Sequence, residues 1–145
     1  MEIRAITPAD AEFGRAAGLF DDYRVHYGEP AEPERTRVWL ASQITGHRLR
    51  LAATLPGGLI TYTVMPASLR LASFYAVRDL FVALDHRRSG IARALLDHVV
   101  AEAKAEGALR VSLQTEPDNA AALALYAAAG FRPVEGLTSL NLTLS

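Results

Sequence analysis

Apolar residues recur along this chain at two periods, and the change of period separates helices from strands. Phe13, Ala16, Phe20, Tyr23 and Tyr27 follow at steps of three and four, a largely aromatic stripe on a helix that stops at Gly28. Thr7-Pro8 offers a capping hydroxyl followed by a proline at the first helical position, so the helix is expected to begin there. The stripe reads as core, with its C-terminal end open to function. Glu29-Pro30-Ala31-Glu32-Pro33 reads as a loop, because two prolines remove backbone donors and restrict their neighbours. A second helix is expected over Glu34 to Thr45, ending at Gly46.

Beyond Gly46 the period becomes two. Leu49, Leu51 and Ala53 alternate with Arg48, Arg50 and Ala52, and Ile60, Tyr62 and Val64 alternate with Thr61 and Thr63. Pro56-Gly57-Gly58 between them suggests a turn using proline's fixed torsion and a positive glycine torsion, and so an antiparallel pair. Residues 2 to 6 read as a short strand, and Phe74 to Ala83 as an apolar, central one. Ser89 can cap a helix with a wide apolar face of Ile91, Leu95 and Val99 beside Ala92, Leu96 and Val100, running to Gly107. Leu109 to Leu113 follows as a strand, then an Ala-rich helix capped by Asp118 or Asn119 and stopped at Gly130. Phe131 to Val134 and Leu137 to Leu144 are expected as closing strands. No repeat or low-complexity linker interrupts this order, and one domain over residues 1–145 is expected.

Composition narrows the chemistry. The chain of 145 residues is long enough to bury a core without staples, and it has no Cys, which excludes thiol catalysis and Cys-bearing metal sites. Of its apolar residues 26 are Ala, so its helices should pack closely. A net charge of -1 argues against a broad nucleic-acid or polybasic membrane surface, and no basic stripe interleaved with aromatics appears. Arg supplies 14 of the 15 basic residues, a bias that suits phosphate but is better explained by genomic base composition. His26, His47, His86 and His98 lack metal-ligand spacing, so no metal is expected. No secretory pattern opens the chain, and Pro56, Gly57, Gly58 and Pro66 interrupt its longest uncharged stretch, so a cytoplasmic protein without a membrane partner is expected.

The chemically informative stretch is Asp79-Leu-Phe-Val82 followed by Arg87-Arg88-Ser89-Gly90-Ile91-Ala92 at the start of a helix. A helix's first turn has unpaired N–H groups and partial positive charge, so a glycine-bearing loop entering it can cradle a pyrophosphate. An ordinary helix cap fits the spacing equally well. Arg87-x-x-Gly90-x-Ala92, however, resembles the R/Q-x-x-G-x-G/A motif of the GCN5-related N-acetyltransferase superfamily. Asn119-x-x-Ala122-x-x-Leu125-Tyr126, followed by Gly130-Phe131, is similar to a second signature of those enzymes, and the order of elements follows theirs across nearly the whole chain.

The resemblance implies an α/β fold of the acyl-CoA N-acyltransferase type, with a mostly antiparallel central sheet splayed to admit the pantetheine arm of acetyl-CoA. It implies cofactor contacts from the backbone of Phe81 and Val82, from Arg87, Arg88, Ser89, Gly90, Ile91 and Ala92, and from Asn119. Tyr126 lies seven residues after Asn119, within about 20° of it around the helix, and either packs in the core or protonates the departing thiolate. Asp79 reads equally as a structural carboxylate and as a pocket acid that attracts an ammonium group. Tyr23 and Tyr27, with the Gly28 to Pro33 loop, are expected to wall the acceptor pocket, and the nearby acids favour an amine of a small molecule or peptide. Arg78 stands where diamine acetyltransferases commonly carry a glutamate, so the general base is left open. The competing reading is a non-catalytic acyl-CoA sensor or partner module, and a homodimer is compatible with either.

Overall fold

The structure, a computed structural model, describes residues 1–144. They form two compact units, Met1–Gln114 and a smaller one from Thr115 onward. The first contains β1 (Arg4–Ala5), α1 (Phe13–His26), α2 (Pro33–Thr45), β2 (Arg50–Thr54), β3 (Gly58–Ala67), β4 (Ala72–Val82), α3 (Ile91–Ala105) and β5 (Val111–Ser112). The second contains α4 (Ala120–Ala128). The five strands lie in the order β1-β2-β3-β4-β5, antiparallel except for the parallel β4–β5 pair. That last pair is brief: only Tyr75 with Val111 and Ala76 with Ser112 match, so β4 has no neighbour in this sheet beside Val77 to Val82.

Alternation along β3 assigns the two faces. The Thr61 hydroxyl donates to Asp79, which also accepts from Tyr23 of α1, whereas the next residue, Tyr62, donates to Glu102 of α3 at 2.8 Å. Successive side chains of a strand point to opposite faces, so α1 and α3 cover opposite sides of the sheet. On the α1 side Phe13, Ala16, Phe20, Leu40, Leu51, Leu59 and Phe81 form one buried cluster. On the other, α3 buries Ile91, Leu95, Leu96, Val99 and Ala103, each large side chain contributing about 1.5–3 kcal/mol. The polar end of α3 is tied down as well: Arg50 of β2 donates to Glu102 at 2.7 Å and to Glu106 at 3.3 Å.

The β3–β4 ladder contains one irregularity. Thr61 pairs with Asp79 but Tyr62 pairs with Val77, leaving exposed Arg78 as an extra residue in β4. This bulge changes the phase of the strand. Asp79 and Phe81, opposite Thr61 and Leu59, face α1; Val77, opposite Tyr62, and Tyr75, whose hydroxyl donates to Glu106, face α3.

Three expectations need correction. The first helix begins at Phe13 instead of near Pro8, because the Thr7 carbonyl accepts the Asp10 N–H at 2.9 Å and the Asp10 carboxylate accepts the Glu12 N–H at 2.9 Å, so turns occupy this stretch. Gly57 and Gly58 are not among the positive-φ glycines. Their role is close approach, since a Cβ on Gly58 would lie 2.8 Å from Ile91 Cγ2 and 2.9 Å from the Phe81 carbonyl oxygen. In the second unit, neither Phe131 to Val134 nor Leu137 to Leu144 forms a strand. Phe131 N–H closes back on the Tyr126 carbonyl at 2.9 Å, and Leu137, Leu140, Leu142 and Leu144 are exposed; alternation makes a strand only where a neighbouring edge accepts it.

A buried carboxylate organises the α1–α2 junction. Asp21, only 5% exposed, accepts from the Thr36 hydroxyl at 2.7 Å, the Arg24 guanidinium at 2.8 Å and the Glu32 N–H at 3.1 Å. Burial by itself would raise this carboxyl, but the Thr36, Arg24 and Glu32 donors outweigh it and hold the group below the usual carboxylate range.

Two stability measurements follow from these contacts. Gly58→Ala should cost about 1–3 kcal/mol in urea unfolding, because the first turn of α3 must lift from β3; wild-type stability would show that the approach is slack. A carboxyl lowered on folding stabilises the fold above its unfolded pKa of about 4, and that stabilisation is lost as pH falls through the folded value. Asp21→Asn should therefore lose less stability than wild type between neutral and acid pH. An acid dependence equal to wild type would remove Asp21 from the acid response.

Candidate active site

Past Ala76 the open edge of β4 presents backbone. The Ala83 N–H donates to the Gly57 carbonyl at 2.8 Å, so the alternation of an antiparallel ladder gives Phe81 to Leu59 and turns the N–H and C=O of Val82 away from β3. The Val82 carbonyl indeed accepts from Arg87 Nε at 3.1 Å, on the side away from β3. Of the two residues expected to offer backbone to a ligand, Val82 is aimed outward and Phe81 inward. Before the bulge the phase is opposite, since the Tyr75 N–H points to the β5 side and donates to the Arg110 carbonyl at 3.0 Å. The extra residue therefore sets which donors line the splay.

From Val82 the chain passes through a short 3-10 turn, Leu84–His86, into the loop before α3. Arg88 and Gly90 both adopt left-handed conformations, with φ of 62° and 81°. Gly90, not Ser89, is the N-cap of α3, and the Ser89 hydroxyl donates instead to the His86 carbonyl. No side chain caps the helix, so the first-turn N–H groups beginning at Ile91 have no protein acceptor from a cap. Nothing lies within 4 Å of where a Cβ on Gly90 would be, which leaves the approach to those donors open. The Ile91 side chain is buried against Gly57 and Gly58, leaving its backbone as the part that faces the loop. Arg87 is folded back, its guanidinium 5.8 Å from the Phe81 ring centroid, while Arg88 is exposed.

On the α1 face the bulge points Asp79 at the aromatic end of the helix. Its two carboxylate oxygens accept separately, from the Tyr23 hydroxyl at 2.7 Å and from the Thr61 hydroxyl. Tyr23 packs edge-on against Tyr27 at 5.3 Å and lies 5.6 Å from Phe81. His26 completes the cluster, 5.0 Å from Tyr27 and 5.8 Å from Phe81. Tyr27 is 66% exposed, so this end of the stripe is open as expected. Sequence reasoning missed two members. His26 has no predicted role in the pocket, although its place one residue before Tyr27 is a signal for one; Thr61, fully buried, carries no signal in a strand of alternating threonines.

In the second unit Asn119 is the N-cap of α4, its side chain accepting the Ala122 N–H at 3.2 Å. Tyr126 stacks edge-on with Phe131 at 6.1 Å. Among the described residues no group of His, Asp and Glu is placed to hold a metal ion, and no helix is long and apolar enough to cross a membrane. A cavity of about 400 Å³ between β1, the end of α2 and β3 includes none of the residues named here as site candidates.

Known proteins match this arrangement along most of the chain. The uncharacterised N-acetyltransferase YhfO of Bacillus subtilis is 29% identical over 94% of this chain and 93% of its own. The ribosomal protein bS18 alanine N-acetyltransferase of Escherichia coli is 29% identical over 75% of this chain and 71% of its own. A crystal structure of a probable acetyltransferase, 27% identical, superposes with a TM-score of 0.92 over 100% of this chain and 99% of that one. The Acetyltransferase (GNAT) family matches residues 17–131, from α1 through the signature that contains Asn119 and Tyr126. With an open-edged β4, a glycine-entered α3 and this match over most of its length, the chain belongs to the GNAT family of acetyltransferases and is an acyl-transferring enzyme.

Proposed function

We propose that residues 1–145 act as one acetyltransferase domain that moves the acetyl group of acetyl-CoA directly to a primary amine of a small molecule or peptide. The observation that carries this reading is the continuity of donors from the outward Val82 backbone to the uncapped first turn of α3. Backbone N–H groups at a helix N-terminus suit a pyrophosphate, and Arg88 beside them adds positive charge. Acetyl-CoA supplies an activated thioester. The residues present fit such a donor: Gly90 leaves the approach open, and the β4 edge can take an extended amide chain as an added strand. Asn119 joins this set by its motif.

The acceptor is drawn to the α1 face of β4, where Asp79, Tyr23 and Tyr27 combine a carboxylate with aromatic rings. A protonated amine is favoured by both. That the Escherichia coli relative is named for the alanine of a ribosomal protein makes a peptide amine a fitting member of the class. For transfer, the ammonium gives up a proton to water steered by Asp79, since Arg78 is exposed on the bulge and cannot act as a base. The amine lone pair then attacks the thioester carbonyl, whose developing oxyanion is met by the Val82 N–H. As the carbon–sulfur bond breaks, Tyr126 donates its phenolic proton to the thiolate, and the second proton that the attacking nitrogen loses as the amide forms returns to the phenolate through water. No covalent enzyme intermediate is needed. A cytoplasmic location fits this chemistry, as does a homodimer.

Calorimetric titration with CoA and acetyl-CoA should show binding below millimolar concentration, and a folded protein that binds neither overturns the reading. A panel of amines, alcohols and thiols scored by CoA release should show transfer to an amine; transfer only to the others reverses the acceptor class. Tyr126→Phe should lower kcat by about 10²-fold while leaving CoA affinity near wild type. Unchanged turnover, with chemistry rate-limiting, returns Tyr126 to a packing role.

A further inference from the structure

The most deeply buried charge in the first unit has no hydrogen bond with Asp79 or the β4 edge; its acceptors are spent on both helices that flank the loop after α1 and on the loop's last amide. Asp21 accepts from Thr36 at 2.7 Å, from Arg24 at 2.8 Å and from the Glu32 backbone at 3.1 Å. Arg24 in turn donates to the Pro30 carbonyl at 3.1 Å and to Glu32 Oε2 at 3.3 Å. Its own carbonyl accepts the Glu29 N–H at 2.9 Å, and Gly28 takes φ of 94° so that the chain can turn there. Thus three of the five residues from Gly28 to Glu32 are held by bonds that originate at Asp21 or Arg24. The segment so held begins next to Tyr27, whose ring packs on Tyr23 and His26.

A loop whose sequence holds one proline and two glutamates has little apolar surface to bury and would otherwise be mobile. We infer that Asp21 is a positioning residue for the acceptor: through Arg24 and the Glu32 amide it holds the Gly28 to Glu32 loop, and with it Tyr27, at the mouth of the cleft that leads to Asp79. This inference rests on the acceptor pocket proposed above. Thr36 is the locking bolt, because it fixes one carboxylate oxygen from α2 and so ties the loop's two flanking helices to the same group. The acyl-donor edge, at Val82 and the start of α3, receives none of these hydrogen bonds. Loosening the network should therefore change acceptor binding and leave donor binding alone.

The test compares Asp21→Asn, Thr36→Val and Thr36→Ser with wild type by three readouts: KM and kcat for the best amine of the panel, CoA affinity by calorimetry, and hydrogen exchange of the Gly28 to Glu32 amides. Asp21→Asn and Thr36→Val should raise acceptor KM by about tenfold with kcat and CoA affinity near wild type, and should speed exchange in the loop. Thr36→Ser, which keeps the hydroxyl, should restore both. If Asp21→Asn does not fold, the Thr36 pair carries the comparison. Unchanged loop exchange in folded variants overturns the positioning role whatever the substrate is. Faster exchange with unchanged KM, or an equal loss of CoA affinity, overturns its link to the acceptor. A wild-type enzyme that acetylates no amine overturns the acceptor reading, and the link with it, while the exchange measurement still decides whether Asp21 holds the loop.

Discussion

One inserted residue, Arg78, determines what β4 can do. A regular strand sends alternate side chains to fixed faces and alternate amides to fixed edges. Tyr75 and Val77 must face α3, where Tyr75 reaches Glu106, while Asp79 and Phe81 must face α1, where Asp79 meets Tyr23. No regular strand satisfies both demands, because residues 77 and 79 would share a face. The bulge resolves the conflict and, by the same shift, turns the Val82 backbone out to the edge that β5 leaves open. Arg78 tolerates the place because its long charged side chain remains in solvent.

Around that bulge the deeply buried polar side chains are few, and they share one task. Among the described residues they are Asp21, Thr36 and Thr61. Thr36 donates to Asp21, and Thr61 donates to Asp79. Each threonine thus holds a carboxylate in place, one at the α1–α2 junction and one at the floor of the cleft. A hydrogen bond to a charged group contributes about 1.5–3 kcal/mol, and leaving such a group partly desolvated without its donor costs a similar amount. These two pairs therefore specify geometry more sharply than the apolar contacts beside them, which tolerate repacking.

Much of the fold could be read from local pattern. The aromatic stripe of α1, the alternation of β2 and β3, and the wide apolar face of α3 each lie in one contiguous stretch, and each became the element expected. What failed depended on contacts that hydrophobic periodicity does not record. The Thr7-Pro8 start was lost because Asp10 captures the Glu12 N–H and is itself bound by Arg4. Gly57 lies in the expected turn of the antiparallel pair, but neither it nor Gly58 takes a positive φ, and only the approach of Ile91 shows that both are small because a helix rests on them. Leu137 to Leu144 has strand alternation but no strand in its own unit. The bulge was invisible for the same reason: Tyr75, Val77, Asp79 and Phe81 have uninterrupted period-two spacing, and the change of phase appears only in the register against β3.

The two halves of the site differ in legibility because they differ in chemistry. A pyrophosphate and an amide chain are recognised by backbone donors, so the sequence has only to permit a conformation; Gly90 at φ of 81° and the start of α3 leave a short contiguous motif that records it. The acceptor proposed here would be met by side chains gathered from α1 and β4, Tyr23 and Asp79, with Thr61 of β3 holding Asp79 from beneath, and no spacing along one segment records that assembly. Its loop, moreover, is held from behind by Asp21 and Arg24, residues that a change of acceptor need not disturb. Backbone recognition of the donor can thus stay constant while the surface between Tyr27 and Pro33 varies on a fixed clamp. On this division of labour, the donor side is the part of the site that a short stretch of sequence can record, and the acceptor side is the part that only the folded chain assembles.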